Sequence, residues 1–195
     1  VPDQHKHLTE PGRILLASVT GFTDSNSRLY CGGNKTMSEK KCLLIVDLQN
    51  DFCSGGALPV PDADAIIPKI NQIMDKFDLI LASRDMPLNT LLIFLPDQRT
   101  VFGVRMARTF ILIQHAGDSL FPGEGTSSKD NGYSVFESHT FNVSDLLHKY
   151  GISSLYVCGL ATDFCVKATV LDALRLGFTT YVITDCTCAV NRQEG

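Results

Sequence analysis

Apolar and polar residues are grouped along the chain in a way that predicts strands connected by helices. The first apolar run, residues 42–46, is continuous and ends at Asp47. Such a run is typical of a strand buried on both faces of a parallel sheet. Shorter apolar runs predict three further strands, at residues 79–82, 155–158 and 181–184.

Between these runs, apolar residues recur at helical spacing. Over residues 66–77 they predict a helix that packs on the sheet, and Pro68 is acceptable because it falls in the first turn. Residues 144–150 predict a second helix, which Gly151 ends.

A third helix completes the pattern. It is expected to begin at Thr162 or Asp163, whose side chains can cap a helix, and to end at Gly177. The order of strands and helices is that of α/β proteins. We therefore expect a single doubly wound domain over residues 41–195, with a mostly parallel sheet and helices on both faces.

Residues 1–40 show neither helical nor alternating apolar periodicity, and Gly, Ser, Thr and Asn dominate their second half. They are predicted to form an unstructured N-terminal tail. Met37 stands just before the first strong strand. If Met37 is the natural start, the residues before it are a read-through leader.

Composition excludes several classes of protein. A chain of 195 residues with 44% hydrophobic content can bury one sizeable core. The formal net charge of -4 argues against nucleic acid as a partner, and no apolar run is long enough for a membrane span. We expect a small-molecule substrate, and leave assembly into a homo-oligomer open.

The seven cysteines form neither a disulfide framework of the short-chain kind nor a Cys-x-x-Cys metal pair. Reduced thiols in a cytoplasmic protein are the expected state, with the nucleus left open as a second location.

Two candidate reactive side chains lie where parallel strands would end. Asp47 follows the first strand, and Cys165 falls in the first turn of the third helix. Amides and the dipole at a helix N-terminus stabilise a thiolate, and ligands of open α/β sheets bind beyond the carboxyl ends of strands. By themselves, a small buried cysteine and a loop carboxylate are the more usual interpretation.

Two longer motifs favour a functional role for Asp47 and Cys165. Residues 44–53 read Leu-Ile-Val-Asp-Leu-Gln-Asn-Asp-Phe-Cys, and residues 158–169 read Cys-Gly-Leu-Ala-Thr-Asp-Phe-Cys-Val-Lys-Ala-Thr. In sequence and in order they resemble nicotinamidases of the isochorismatase-like hydrolase superfamily. The similarity continues through residues 62–71, 79–85, 133–136 and 171–177.

The resemblance implies a catalytic set of an Asp, a Lys and a Cys, of which Asp47 and Cys165 are the matching positions. It implies an oxyanion site formed by the backbone amides of Ala161 and Cys165, and a cis peptide between Leu160 and Ala161. The implied reaction is hydrolysis of nicotinamide, with pyrazinamide as a related substrate, to nicotinic acid and ammonia through a cysteine thioester.

The resemblance also implies a pyridine pocket. Phe52 and Tyr133 match positions whose rings line it, and Phe164 stands where some members have a polar ring. Ordinary core aromatics remain an equal alternative for these three residues.

The resemblance implies a divalent metal, zinc or a similar ion. This sequence contains only part of the expected ligand set. Asp85 matches one ligand, but Pro87 stands where a His is expected, and the mid-chain His115 has no ligand-spaced partner. The catalytic Lys is also missing, because Glu124 occupies its position. Lys129 is a weak substitute, since polar neighbours indicate a solvated loop.

One explanation covers these losses together, namely that much of residues 90–124 is translated in the wrong reading frame. Residues 100–112 can be encoded so that a frame moved back by one base reads His-Cys-Val-Trp-Gly-Thr-Asn-Gly-Thr-His-Phe-His-Pro, which contains the missing family segment. Most of those bases are choices among synonymous codons. Genuine divergence, or a splice form with a replaced middle, is the alternative.

Three functions follow from these observations. The first is a nicotinamide amidohydrolase of NAD salvage, impaired in the chain as written. The second is a non-catalytic relative that binds a small ligand, and the third is a sibling hydrolase of another amide or a carbamoyl substrate. A Rossmann dehydrogenase is excluded, because no Gly-x-Gly-x-x-Gly follows the first strand.

Overall fold

A computed structural model describes residues 14–23, 40–85, 100–101, 104–105, 110–115, 132–138 and 142–191. Within these residues, one sheet of six strands organises the chain. Its strands, all in parallel pairings, are β1 (Ile14–Ala17), β2 (Lys40–Val46), β3 (Leu79–Asp85), β6 (Phe110–His115), β7 (Ile152–Leu160) and β8 (Thr179–Cys188). The order across the sheet is β1-β8-β7-β2-β3-β6.

Helices cover both faces of the sheet. They are α1 (Thr20–Thr23), α2 (Ile67–Ile73), α3 (Val143–Tyr150) and α4 (Lys167–Arg175). Helix α2 packs in one apolar core, and α3 and α4 pack in the other. The predicted doubly wound α/β fold is therefore confirmed. None of the helices in the described ranges is both long and apolar enough to cross a membrane.

Strand β2 shows why the sheet must be covered on both faces. Leu43 and Ile45 lie in the core on the side of α2, whereas Cys42, Leu44 and Val46 lie in the core on the side of α3 and α4. All five side chains are buried. The prediction of a strand buried on both faces is confirmed, since successive side chains of a strand point to opposite faces.

The prediction of an unstructured tail is wrong for residues 14–23. Strand β1 pairs in parallel with β8, in the register Ile14 to Thr180. Beyond it, Val19 is buried in the core and Phe22 packs against it. The pairing is made by backbone groups of a distant strand, which local periodicity does not reveal. Lys40 at the end of the predicted tail is the first residue of β2, and residues 1–13 and 24–39 lie outside the described residues.

The ends of α3 follow the predicted rules, but the start of α4 does not. Asn142 caps α3 by accepting a hydrogen bond from the Asp145 amide at 3.1 Å, and Gly151 ends it with φ of 70°. Before α4 the chain forms a wide π-helical turn, Thr162–Val166, with no side-chain cap. The predicted cap at Thr162 or Asp163 is therefore wrong, and the Asp163 carboxylate bonds elsewhere.

Part of the segment 90–124 contributes to the fold. A small antiparallel hairpin joins β4 (Thr100–Val101) and β5 (Val104–Arg105). Strand β6 lies beside β3, pairing Ile80 with Phe110. The remaining residues of this segment lie outside the described ranges.

Candidate active site

The sheet has its topological switch point between β2 and β7. From β2 the chain passes to β3 on one side, whereas β7 lies on the other side. Ligands of open α/β sheets bind beyond the carboxyl ends of the strands at such a point. Asp47 directly follows β2, and the turn that contains Cys165 directly follows β7.

Gly159 brings the two strand ends into close contact. It pairs with Val46, and a Cβ added to it would overlap the carbonyl oxygen of Val46. Its φ of 110° is also one that other residues rarely adopt. Only glycine fits at this position. Because it lets the ends of β2 and β7 approach closely, Asp47 and the turn after Leu160 are adjacent.

Asp47 is fully buried, and Ser83 of β3 holds it. The Ser83 hydroxyl donates to Asp47 Oδ1 at 2.7 Å and accepts a hydrogen bond from the Asp47 amide at 3.0 Å. The backbone of Asp47 has a φ of 45°, in the left-handed region that non-glycine residues seldom occupy. One neighbouring hydroxyl thus fixes both the main chain and the carboxylate of Asp47.

The turn that carries Cys165 is built around the carbonyl of Ala161. This oxygen accepts hydrogen bonds from the amides of Phe164 and Val166, each at 3.1 Å. The expected cis peptide between Leu160 and Ala161 is present. Cys165 lies in the turn between the two donating amides and is one of the residues that line a cavity.

The cavity has a volume of about 420 Å³, which is within the range of small-molecule sites. Five of its lining residues are those that the resemblance singled out, namely Phe52, Tyr133, Ala161, Phe164 and Cys165. Asp47 is not among the lining residues, since it is buried at the end of β2.

Two aromatic residues of the cavity lining lie next to each other. The ring centroids of Tyr133 and Phe164 are 5.9 Å apart, and both rings are partly exposed. The segment of Tyr133 is tied to α4, because the Val135 amide donates to Thr169 Oγ1 at 3.2 Å. The helix that follows Cys165 therefore also positions Tyr133.

Sequence reasoning missed the other lining residues of the cavity. They are Ala57, Leu58, Pro59, Val60 and Val190. The amides of Leu58 and Val60 donate to the carbonyls of Asp51 and Phe52, at 2.8 and 2.9 Å. The loop of residues 57–60 has no motif of its own, and only its proximity to the motif of residues 44–53 could have identified it.

Several of the other described cysteines are held in the protonated form. Burial raises the pKa of Cys42 and Cys158 well above its usual range. Burial, followed by the nearby Asp185 carboxylate, raises the pKa of Cys186 to about 12. Burial also raises the pKa of Cys53. None of these four thiols lines the cavity, whereas Cys165 does.

The described residues do not fit a metal ion. Among them, no three His, Cys, Asp or Glu side chains come together as a possible ligand group. Asp85 ends β3 at the correct edge of the sheet, but its side chain is outside the described set. Pro87, Glu124 and Lys129 also lie outside it.

The doubly wound sheet, with a ligand-sized cavity at the carboxyl ends of its strands, places the chain in a class of α/β proteins that bind or convert small molecules. Within that class, residues 41–194 match the family described as isochorismatase domain. The chain belongs to the isochorismatase family.

Characterised relatives share most of this domain. A nicotinamidase of Escherichia coli is 33% identical over 185 residues, covering 78% of this chain and 85% of the relative. A nicotinamidase of Acinetobacter baylyi is 32% identical over 174 residues, covering 76% and 81%. The crystal structure of a pyrazinamidase of Pyrococcus horikoshii in complex with zinc is 32% identical with a TM-score of 0.59, covering 78% of this chain and 88% of that one.

Proposed function

We propose that this protein is a nicotinamidase, a cysteine amidohydrolase that converts nicotinamide to nicotinic acid and ammonia in NAD salvage. The observation that carries the proposal is the cavity, whose lining within the described residues combines one cysteine, Cys165, with the aromatic residues Phe52, Tyr133 and Phe164. A flat pyridine ring suits such walls, since aromatic rings pack in stacked or edge-to-face contacts. Nicotinamidases among the relatives support the same substrate.

In the proposed mechanism the Cys165 thiol passes its proton to Asp47, and the thiolate attacks the carboxamide carbon. The amides of Ala161 and Cys165 stabilise the resulting oxyanion. Asp47 returns the proton to the leaving nitrogen, and ammonia departs from a thioester. Asp47 then accepts a proton from the water that attacks the thioester, and passes this proton to the Cys165 sulfur as the C–S bond breaks, which releases nicotinic acid and restores the thiol and the Asp47 carboxylate.

The site assignment follows from this mechanism. Asp47 acts as acid and base, and Cys165 as nucleophile. Ser83 is the group that holds the Asp47 carboxylate. Asp85 is the proposed protein ligand of a divalent metal, but the described residues do not complete a metal site, and no step above passes through a metal. We place the reaction in the cytoplasm.

The test is ammonia release from nicotinamide by the wild-type chain and by two cysteine variants. Cys165→Ala should abolish release, because it removes the attacking sulfur. Cys188→Ala is the matched control, since its half-buried thiol donates to the Asp62 carbonyl outside the cavity. Release that is unchanged by Cys165→Ala would contradict the proposal. Pyrazinamide and a panel of other amides and carbamoyl compounds define the substrate class.

The middle of the chain requires a separate test. Glu124 stands where the family has a catalytic Lys, and the family's His-Cys-Val segment is missing from residues 90–124, so we propose that these residues include an error of reading frame. The gene should be resequenced from the codon of Asp85 to that of Thr126. A corrected frame that restores Lys and His should raise turnover; confirmed bases together with ligand binding but no turnover would indicate a non-catalytic relative.

A further inference from the structure

The carboxylate of Asp163 joins two segments that are distant in sequence. Its Oδ1 accepts a hydrogen bond from the Val190 amide at 3.0 Å. Its Oδ2 accepts one from the Asn191 amide at 2.9 Å and one from Asn191 Nδ2 at 3.0 Å. Three donors of one short segment thus converge on a single side chain.

Both segments border the cavity. Asp163 lies two residues before Cys165 in the turn Thr162–Val166, and Val190 is one of the lining residues. The turn is itself fixed by the hydrogen bonds to the Ala161 carbonyl. The position of Val190 is therefore set relative to the sulfur of Cys165 through Asp163.

The charge of Asp163 strengthens this connection. Burial opposes ionisation of the carboxyl, but hydrogen bonds from the amides of Asn191 and Val190 and from the Asn191 side chain outweigh it and lower the pKa of Asp163. The carboxylate is ionised at neutral pH, and hydrogen bonds to an ionised acceptor are stronger than neutral ones.

We infer that Asp163 is a positioning residue, which holds Val190 as one wall of the cavity next to Cys165 and so determines how tightly the amide substrate binds. The inference rests on the proposed function, because it names a determinant of substrate binding in the same site. Asp163 itself is not among the residues that line the cavity. Its loss should therefore weaken binding far more than it slows the chemical step.

The test compares Asp163→Ala, Val190→Ala and the double variant in steady-state hydrolysis of nicotinamide. Asp163→Ala should raise KM by roughly tenfold, the effect of a lost wall contact in an apolar pocket, while kcat changes little. The double variant should resemble Asp163→Ala, because the second change removes a side chain that is already displaced. Asp163→Asn retains one acceptor oxygen and should fall between wild type and Asp163→Ala.

Asp172→Ala is the control. It removes an aspartate of α4 whose partner is Arg175 at the surface, at 2.7 Å, and it should leave KM unchanged. Two results would overturn the inference, an unchanged KM in Asp163→Ala, or additive effects of Asp163→Ala and Val190→Ala. A purely structural role would lower the thermal midpoint of Asp163→Ala and leave its KM at the wild-type value.

A second readout is independent of turnover. If the wild-type chain releases no ammonia from any amide, the proposed function fails. The rate at which iodoacetamide alkylates Cys165 still reports whether Val190 is in place. A displaced Val190 should make Cys165 react several-fold faster in Asp163→Ala than in wild type or Asp172→Ala. Equal alkylation rates in all three would overturn the inference independently of the substrate.

Discussion

Ser83 and Asp47 exchange two hydrogen bonds at the centre of the sheet, one between the serine hydroxyl and the carboxylate and one between the aspartate amide and the same hydroxyl. Both residues are buried, and 36 positions separate them in sequence. A single hydroxyl on the neighbouring strand thus orients the proposed acid and base of the reaction.

Replacing Ser83 should therefore slow catalysis without weakening substrate binding. In Ser83→Ala the Asp47 carboxylate loses its fixed direction, and we expect kcat to fall roughly 10- to 100-fold with little change in KM. Ser83→Thr keeps the hydroxyl and should restore most of kcat. Ammonia release under steady-state conditions measures both constants.

The matched control is Ser144→Ala, which removes a hydroxyl from α3 outside the site. Thermal unfolding of each variant separates a misdirected carboxylate from a loss of folded protein. Wild-type kcat in a folded Ser83→Ala variant would show that this hydroxyl does not position Asp47.

Some of these features could be predicted from the sequence and others could not. The apolar run 42–46 predicted its own strand, because burial on both faces leaves a continuous pattern. The cap predicted at Thr162 or Asp163 was wrong, and the Asp163 carboxylate instead accepts hydrogen bonds from Val190 and Asn191, 27 and 28 positions away. Strand β1 and the cavity wall at Val190 were missed for the same reason, since both depend on long-range contacts that leave no local period.

Gly159 should tolerate no side chain. In Gly159→Ala the new Cβ would overlap the Val46 carbonyl oxygen, in a backbone conformation with φ of 110°. We expect the variant to lose more than about 3 kcal/mol of unfolding free energy, because β2 and β7 must move apart to accommodate the methyl group. Urea unfolding followed by circular dichroism measures it.

Gly151→Ala is the matched control for that experiment. Its φ of 70° is also left-handed, but no atom lies within 4 Å of an added Cβ, so it should cost only about 1 kcal/mol. Equal losses in the two variants would mean that backbone conformation alone, and not contact with Val46, makes Gly159 necessary.

Thiol reactivity should single out Cys165 among the deeply buried cysteines. At about pH 8, iodoacetamide should modify Cys165 well before Cys42 and Cys158, whose pKa values burial raises far above that pH. Peptide mass spectrometry of the native protein measures the rates. Saturating nicotinamide should slow only Cys165, with the half-buried Cys188 as internal reference. Equal rates at Cys42 and Cys165 would contradict this prediction.

The segment before residue 24 should contribute to stability. The ring of Phe22 contacts those of Phe77 and Tyr156, with centroids 5.3 and 5.5 Å apart. Because Phe22 is only partly buried, Phe22→Ala should cost about 2 kcal/mol, less than a fully buried Phe. Leu16→Ala, at a side chain that is 77% exposed, should cost almost nothing.

A chain that starts at Met37 lacks β1, Val19 and Phe22 together, and should unfold at a lower urea concentration than the full chain. This comparison also tests the origin of the N-terminal residues. If they are a read-through leader with no part in the fold, both chains should have the same midpoint.

The hydrogen bonds of Asp163 should give stability a pH dependence of definite sign. Burial opposes ionisation, but the bonds from Asn191 and Val190 lower the pKa of Asp163 in the folded protein below its usual value. A group with a lowered folded-state pKa contributes fully above the unfolded value of about 3.9, and the contribution is lost as the pH falls through the folded-state pKa. The unfolding free energy of wild type should therefore exceed that of Asp163→Ala by about 1 kcal/mol at neutral pH, a modest figure because the carboxylate is partly solvated. Urea unfolding at about pH 7, 5 and 3 measures this difference, which should shrink at the lowest pH. A difference that grows on acidification would mean that the protonated carboxyl, not the carboxylate, holds Val190.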